Sequence, residues 1–185
     1  MTHTADTEAL ASYRGIFKVA GVSAFVFVVI DAVAAASIFS VMPGRFIPVE
    51  EWLAGIQANT AFYQATIGFF IVADLLVAPV LLGLYFSLRS VQKTYAHVAL
   101  ALGAISIPMI LIDNVLAYSL IGMLDGLAAA TSPAGKTAII AAADSIFLAA
   151  TLAFVLFYVL MGAATVIFSL AMLRGLFPRW LSWLG

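Results

Sequence analysis

Residues 61–88, AFYQATIGFFIVADLLVAPVLLGLYFSL, form an apolar run long enough to cross a membrane as one helix. A helix of about 20 residues spans a hydrocarbon core of about 30 Å, because each residue adds about 1.5 Å. Three further runs have a similar composition, at about residues 16–42, 97–124 and 148–173. We therefore predict an all-α fold, a polytopic membrane helix bundle of four transmembrane helices in a single transmembrane domain over residues 1–185.

The last apolar run is too long for one span. It extends from about residue 138 to residue 173, and as a single helix it would measure roughly 54 Å against a hydrocarbon core of about 30 Å. We place its membrane part at 148–173. The alanine-rich segment 137–147 is then predicted to be a helical extension at or beyond the membrane interface.

The composition of the chain supports the membrane class and excludes several others. Of its 185 residues, 65% are apolar and 9% charged, which is far from the average of soluble proteins. Four spans leave no room for a soluble catalytic domain, and a net charge of -1 argues against a nucleic-acid partner. The absence of cysteine removes disulfides, thiolate nucleophiles and cysteine-held metal clusters.

Basic residues between the runs predict the orientation. If the helices alternate, one side carries Arg14, Lys18, Arg89, Lys93, Arg174 and Arg179, and the other carries only Arg45 and Lys136. The positive-inside rule then predicts a multi-pass protein of the cell membrane with both termini in the cytoplasm. A cleavable signal peptide is the competing interpretation of the first run, which is longer than a typical signal sequence.

Residues 49–56 predict a short amphipathic helix on the outer surface. Its apolar residues recur at i, i+3, i+4 and i+7, namely Val49, Trp52, Leu53 and Ile56, and Glu50 and Glu51 lie in its first turn. We favour an interfacial anchor over a lid above a space between the helices. At the other end of the chain, Phe177, Trp180 and Trp183 lie beside arginines, as in an aromatic belt at a membrane interface.

Three of the apolar runs contain a single aspartate well inside them: Asp31, Asp74 and Asp113. No lysine or arginine lies at that depth. Counted from the inner ends of the helices, the three lie roughly 20, 21 and 24 Å into the membrane and so share one level. Acidic residues at this depth usually face a bundle interior, a water-filled space or a partner, and they often mark a functional site. We therefore predict a polar centre in the outer half of the bundle.

Asn114 and Pro79 add to this predicted centre. Asn114 lies at the height of Asp113 but about 100° around the helix, so it need not face the same space. Pro79 frees a backbone carbonyl beside Asp74, which would suit a cation or a hydrogen-bonding ligand, although a role in packing alone is the simpler interpretation. By the same count, Asp144 lies outside the hydrocarbon and is interpreted as an ordinary interfacial acid.

Among the tyrosines, Tyr158 lies deep in the last run and is a candidate ligand-binding residue together with Asp31, Asp74, Asp113 and Asn114. Tyr63 and Tyr118 are interpreted as interfacial anchors. Small residues spaced four apart, such as Ala20 with Ala24 and Ala99 with Gly103, are typical of surfaces where membrane helices approach closely.

The aspartates allow four functions. In the first, they are protonated and donate hydrogen bonds that join helices, and in the second they bind a proton, a sodium ion or a basic small molecule. In the third, a basic residue of a partner subunit neutralises them, and in the fourth they belong to an intramembrane enzyme. We favour a non-enzymatic protein that binds a small ligand or cation, with an accessory subunit as the alternative. The expected partners are the lipid bilayer and other membrane subunits or further copies of the chain.

No cofactor can be named from the residues, and a metal ion stays open. Retinal would need a lysine deep in a span, and no span contains one. Haem held between helices would need an axial histidine, and His97 lies alone at the inner edge. The motifs HExxH, GxSxG, GxxxxGK[ST] and GxGxxG do not occur. The sequence therefore gives no support for a metalloprotease, a hydrolase or a nucleotide-binding protein.

Four segments carry a resemblance to a known family: RGIFKVAG at 14–21, GFFIVADLL at 68–76, AAADSIF at 141–147 and RGLFPRWLSWLG at 174–185. Together they resemble the prokaryotic membrane family called domain of unknown function family 4386. The resemblance spans most of the chain and implies a membrane helix bundle. In that family the closing segment normally leads into a further membrane helix, which implies that this chain is either shortened or lacks an element of its relatives. The family has no established activity, so the resemblance leaves function open.

Overall fold

A computed structural model describes residues 13–41 and 47–173, and all the secondary structure in these ranges is helical. Five helices follow one another: α1 (Arg14–Val41), α2 (Val49–Ala58), α3 (Thr60–Leu88), α4 (Lys93–Ala129) and α5 (Pro133–Leu173). All except α2 are long and apolar enough to cross a membrane. The predicted all-α bundle with four spanning helices and one short amphipathic helix is confirmed. The predictions for Arg45 and for the closing segment with Arg174, Phe177, Arg179, Trp180 and Trp183 lie outside the described residues.

The two last helices are much longer than a membrane is thick. Helices α4 and α5 have 37 and 41 residues, which corresponds to about 56 and 62 Å against a hydrocarbon core of about 30 Å. Helix α5 is continuous through residues 137–147 and begins at Pro133, where the missing backbone N–H costs nothing. The backbone N–H of Gly135 donates to the Ser132 hydroxyl at 3.1 Å, which caps this end of the helix.

The chain divides into two compact units, and each unit contains a part of every long helix. The first unit consists of Met1–Val28, Leu75–Ile107 and Tyr158–Gly185, and the second consists of Val29–Asp74 and Pro108–Phe157. Helices α3 and α4 continue through Pro79 and Pro108, so neither proline ends its helix.

The core of the first unit is made from α3, α4 and α5. Its buried members are Val77, Leu81, Leu88, Ala96, Ala99, Phe168, Ala171 and Met172. Helix α1 meets α3 at Gly83, where an added Cβ would overlap the Cβ of Ala20. A Cβ at Gly103 of α4 would come within 2.7 Å of a Leu81 side-chain carbon. Small residues therefore allow close helix contact at both places.

The core of the second unit is built around α2. The apolar face of this helix, Val49, Trp52, Leu53 and Ile56, is buried with Tyr63, Ile67, Ala117, Leu120 and Ala143 of α3, α4 and α5. Trp52 contacts Tyr63 edge to face at 6.4 Å between ring centroids and Phe147 at 5.3 Å. This packing corrects the interpretation of α2 as an interfacial anchor, because protein and not lipid covers its apolar face.

Candidate functional site

Asp74 and Asp113 are buried inside the second unit. Their exposed fractions are 5% and 2%, and that of Asn114 is 3%. Asp31, on α1 of the same unit, is half-buried. It lies three residues before the fully buried Ala34, which places it about 60° away around the helix, at the margin of the face that α1 buries. The unit therefore contains all three predicted aspartates.

A hydrogen bond between two helices fixes the geometry of this polar centre. The side-chain amide of Asn114 on α4 donates from Nδ2 to Oδ2 of Asp74 on α3 at 2.6 Å, and both groups are buried. Asp113 and Asn114 are consecutive and differ by about 100° in direction, yet both are buried. Helix α4 is therefore enclosed on a wide arc at this level, which allows both side chains to serve one centre.

The carboxyl groups of Asp31 and Asp113 both lie within electrostatic range of Asp74. Among the described residues of the second unit, Lys136 is the only lysine or arginine. Lys136 lies in the first turn of α5, about two turns before Ala143. On α3, Asp74 lies about two turns beyond Ile67. Because Ala143 and Ile67 both belong to the core around α2, that core separates Lys136 from the acids.

The three carboxyl groups interact without forming a chelating cage. Within residues 13–41 and 47–173, no group of three or more histidine, cysteine, aspartate or glutamate side chains is placed to hold a metal ion. A polyvalent metal requires several ligands at bonding distance simultaneously. A single positive charge near Asp74 would need no such set of ligands.

The remaining candidates lie elsewhere. Tyr158 belongs to the first unit and its side chain is 56% exposed, so its role as a ligand-binding residue stays a prediction. Asp144 is exposed, as expected of an interfacial acid. The use of the carbonyl freed by Pro79 also stays a prediction.

Tyr63 of this unit is a core residue, which corrects its interpretation as an interfacial anchor. It is fully buried, and its hydroxyl donates to the backbone carbonyl of Ala117 at 3.4 Å, so it joins α3 to α4 inside the protein. Its position gives a signal: Tyr63, Ile67 and Asp74 follow one another at i, i+4 and i+11, which places them on one face of α3. That face is the buried one.

The bond between Asp74 and Asn114 should be measurable as a coupling energy. In a double-mutant cycle with Asp74→Ala and Asn114→Ala, we expect about 0.6 kcal/mol and at most about 1.7 kcal/mol, the range found for hydrogen bonds between membrane helices. Unfolding in detergent measures it. Pairing Asp74→Ala with Ser119→Ala provides the control, because the exposed Ser119 hydroxyl bonds only within α4, to the Leu116 carbonyl. A coupling energy no greater than that of the control pair would contradict the bond.

A family model described as "Domain of unknown function (DUF4386)" matches residues 19–185 of the chain. No curated protein and no solved structure matches this chain.

Proposed function

The chain belongs to this family, and from that premise we propose that it is a non-enzymatic membrane protein whose second unit binds a small cation at Asp74. The ligand is a proton, a sodium ion or a small amine. Asn114 orients the Asp74 carboxyl group, and Asp31 and Asp113 add negative charge around it. The observation that carries the proposal is the buried 2.6 Å bond from Asn114 to Asp74, in a unit where Lys136 is the only lysine or arginine among the described residues.

The charge of the centre supports this proposal. A buried carboxylate is expensive unless a positive charge or a proton neutralises it, and Lys136 lies on the far side of the α2 core. Asn114 uses its amide N–H on Asp74 and keeps its own carbonyl oxygen as an acceptor. That oxygen and the second oxygen of Asp74 are the atoms that we assign to the cation.

We further propose that the chain lies in the cell membrane with both termini in the cytoplasm. Arg14, Lys18, Arg89 and Lys93 support this orientation, because they lie at the beginning of α1 and around the connection from α3 to α4. These helix ends are on the same side of a bundle whose spans alternate, and basic residues favour the cytoplasmic side.

A second candidate function is an accessory subunit of a larger membrane complex or homo-oligomer. Asp31 favours it, because this carboxyl group is only half-buried at the margin of the α1 face that contacts the rest of the unit. A lysine or arginine from another subunit would reach Asp31 more easily than Asp74 or Asp113. In this case the neutralising charge is supplied by a protein and not by a free cation.

The test is thermal unfolding of the detergent-solubilised protein with sodium, with small amines and across pH. Asp74→Asn is the informative variant, because an asparagine oxygen still accepts the bond from Asn114 while the carboxyl charge is lost. We expect a cation at a hundred times its dissociation constant to stabilise the wild type by about 2.7 kcal/mol, and Asp74→Asn to lose this gain. A proton site would appear as a pH dependence of stability that the variant lacks.

Asp144→Asn is the matched control, since it removes an exposed carboxyl group from the same unit. It should respond to cations and pH as the wild type does. If Asp74→Asn also responds like the wild type under every condition, the cation proposal is wrong. If in addition no condition stabilises the wild type, the accessory subunit becomes the better explanation.

A further inference from the structure

Arg89, immediately after the end of α3, is held by aromatic side chains in the first unit. Its Nη2 donates to the hydroxyl of Tyr13 at 2.7 Å. Its guanidinium carbon lies 4.8 Å from the centroid of the Tyr13 ring and 4.7 Å from that of Phe86. These two rings stack on each other at 4.6 Å. The guanidinium group is thus fixed in place before any ligand arrives.

A second set of contacts fixes the connection from α3 to α4. The Nδ1 atom of His97 lies 2.6 Å from the carbonyl oxygen of Lys93, so that nitrogen carries the proton and donates. The other ring nitrogen, Nε2, lies 3.1 Å from the Tyr85 hydroxyl, which donates to it when the imidazole is neutral. The Tyr85 ring packs edge to face on Phe86 at 5.2 Å. These contacts join the beginning of α4 to the rings that hold Arg89.

The first unit has no acidic partner for Arg89 among its described residues. Within 13–28, 75–107 and 158–173 there is no aspartate or glutamate, whereas Arg14, Lys18, Arg89 and Lys93 are all basic. Arg14 adjoins Tyr13, and Lys93 begins α4, so both lie on the segments that the Arg89 contacts bring together. A fixed guanidinium group is a typical binding partner for phosphate, which accepts two parallel N–H bonds.

We propose that Arg89, with Tyr13 and Lys93, binds the phosphate of an anionic phospholipid headgroup. Tyr13 engages one of the five N–H donors of the guanidinium group, and the others remain sufficient for a two-pronged bond to phosphate. The same unit exposes apolar side chains for the acyl chains, among them Val19, Leu82 and Val98. A phospholipid contacts the basic residues through its phosphate and the apolar side chains through its acyl chains, whereas a free anion contacts only the basic residues.

The test compares lipid binding to the full chain in detergent by native mass spectrometry, with phosphatidylglycerol and phosphatidylcholine as probes. Non-specific attraction between an anionic lipid and a basic residue of this unit contributes about fivefold to lipid affinity, wherever in the unit that residue lies. Loss of a charged hydrogen-bonding group contributes more than about tenfold. We therefore expect Arg89→Gln to weaken phosphatidylglycerol binding more than tenfold, and Lys18→Gln, an exposed basic residue on α1, to weaken it fivefold or less.

Two further variants separate geometry from charge and from folding. Arg89→Lys keeps the charge but not the planar fork, so it should lose most of the affinity. Tyr13→Phe removes only the hydroxyl group that holds the guanidinium and should cause a smaller loss with unchanged thermal stability in phosphatidylcholine. The proposal is overturned if Arg89→Gln and Lys18→Gln weaken binding equally, if phosphatidylcholine binds as well as phosphatidylglycerol, or if sodium phosphate at matched ionic strength displaces no lipid.

Discussion

Replacing Trp52 by alanine is expected to lower the free energy of unfolding by about 3 to 5 kcal/mol, the usual cost of removing a large buried aromatic side chain. Trp52 has only 5% of its side chain exposed and contacts Tyr63 and Phe147. The substitution would leave a void between α2 and the helices that it packs on. Chemical denaturation in detergent, monitored by circular dichroism, measures the change.

Two variants of α2 control this prediction. Trp52→Phe keeps an aromatic ring and removes an indole N–H that has no hydrogen-bond acceptor among the described residues, so we expect a smaller loss than with alanine, because less of the buried volume is removed. Glu51→Ala changes an exposed side chain and should alter stability by no more than about 0.5 kcal/mol. If Trp52→Ala is as stable as Glu51→Ala, α2 does not pack on the second unit as described.

The substitution Gly83→Ala is expected to destabilise the protein by about 1 to 3 kcal/mol, the typical cost of overpacking. The added methyl group would overlap the Cβ of Ala20, which is attached directly to the backbone of α1 and cannot rotate away. Helices α1 and α3 would have to move apart in the first unit. Thermal or chemical unfolding in detergent detects this loss.

Gly68→Ala is the matched control, because it lies in the same helix and an added Cβ would meet nothing within 4 Å. Alanine is the better helix former by about 0.5 to 1 kcal/mol, so this change should stabilise slightly. The two substitutions are thus predicted to have opposite signs. The double variant Ala20→Gly with Gly83→Ala should recover part of the loss, and the absence of any recovery would contradict the contact.

The sequence predicts the helices well because their signal is local. Apolar runs of membrane length and the aspartates inside them can be recognised without knowing what lies opposite. The helical segment 137–147 and the amphipathic pattern of Val49, Trp52, Leu53 and Ile56 are local signals in the same sense.

Relations between helices could not be predicted in the same way. Whether Asn114 faces Asp74 depends on how α4 is rotated against α3, and nothing in the sequence around Asn114 determines that rotation. The apolar face of α2 looks the same whether lipid or protein covers it. The contact of Gly83 with Ala20 and that of Arg89 with Tyr13 also join residues more than 60 positions apart.

The length of α5 has a structural role. The residues of α4 and α5 that pack on α2 are Ala117 and Leu120 on α4 and Ala143 on α5, with Phe147 of α5 against Trp52. Ala143 and Phe147 belong to the part of α5 before the predicted span 148–173, so this extension provides one wall for the amphipathic helix. The other wall comes from Ala117 and Leu120 of α4.

The position of α2 in the chain determines when this packing can form during synthesis. Trp52 leaves the ribosome 95 residues before Phe147. At about 5 to 20 residues per second, this delay lasts about 5 to 20 seconds. During that interval the apolar face of α2 has no wall from α5, and the membrane interface is the surface available to cover it. We therefore expect the apolar face of α2 to lie on the lipid surface in the newly made chain and to pack on α5 once that helix has been synthesised.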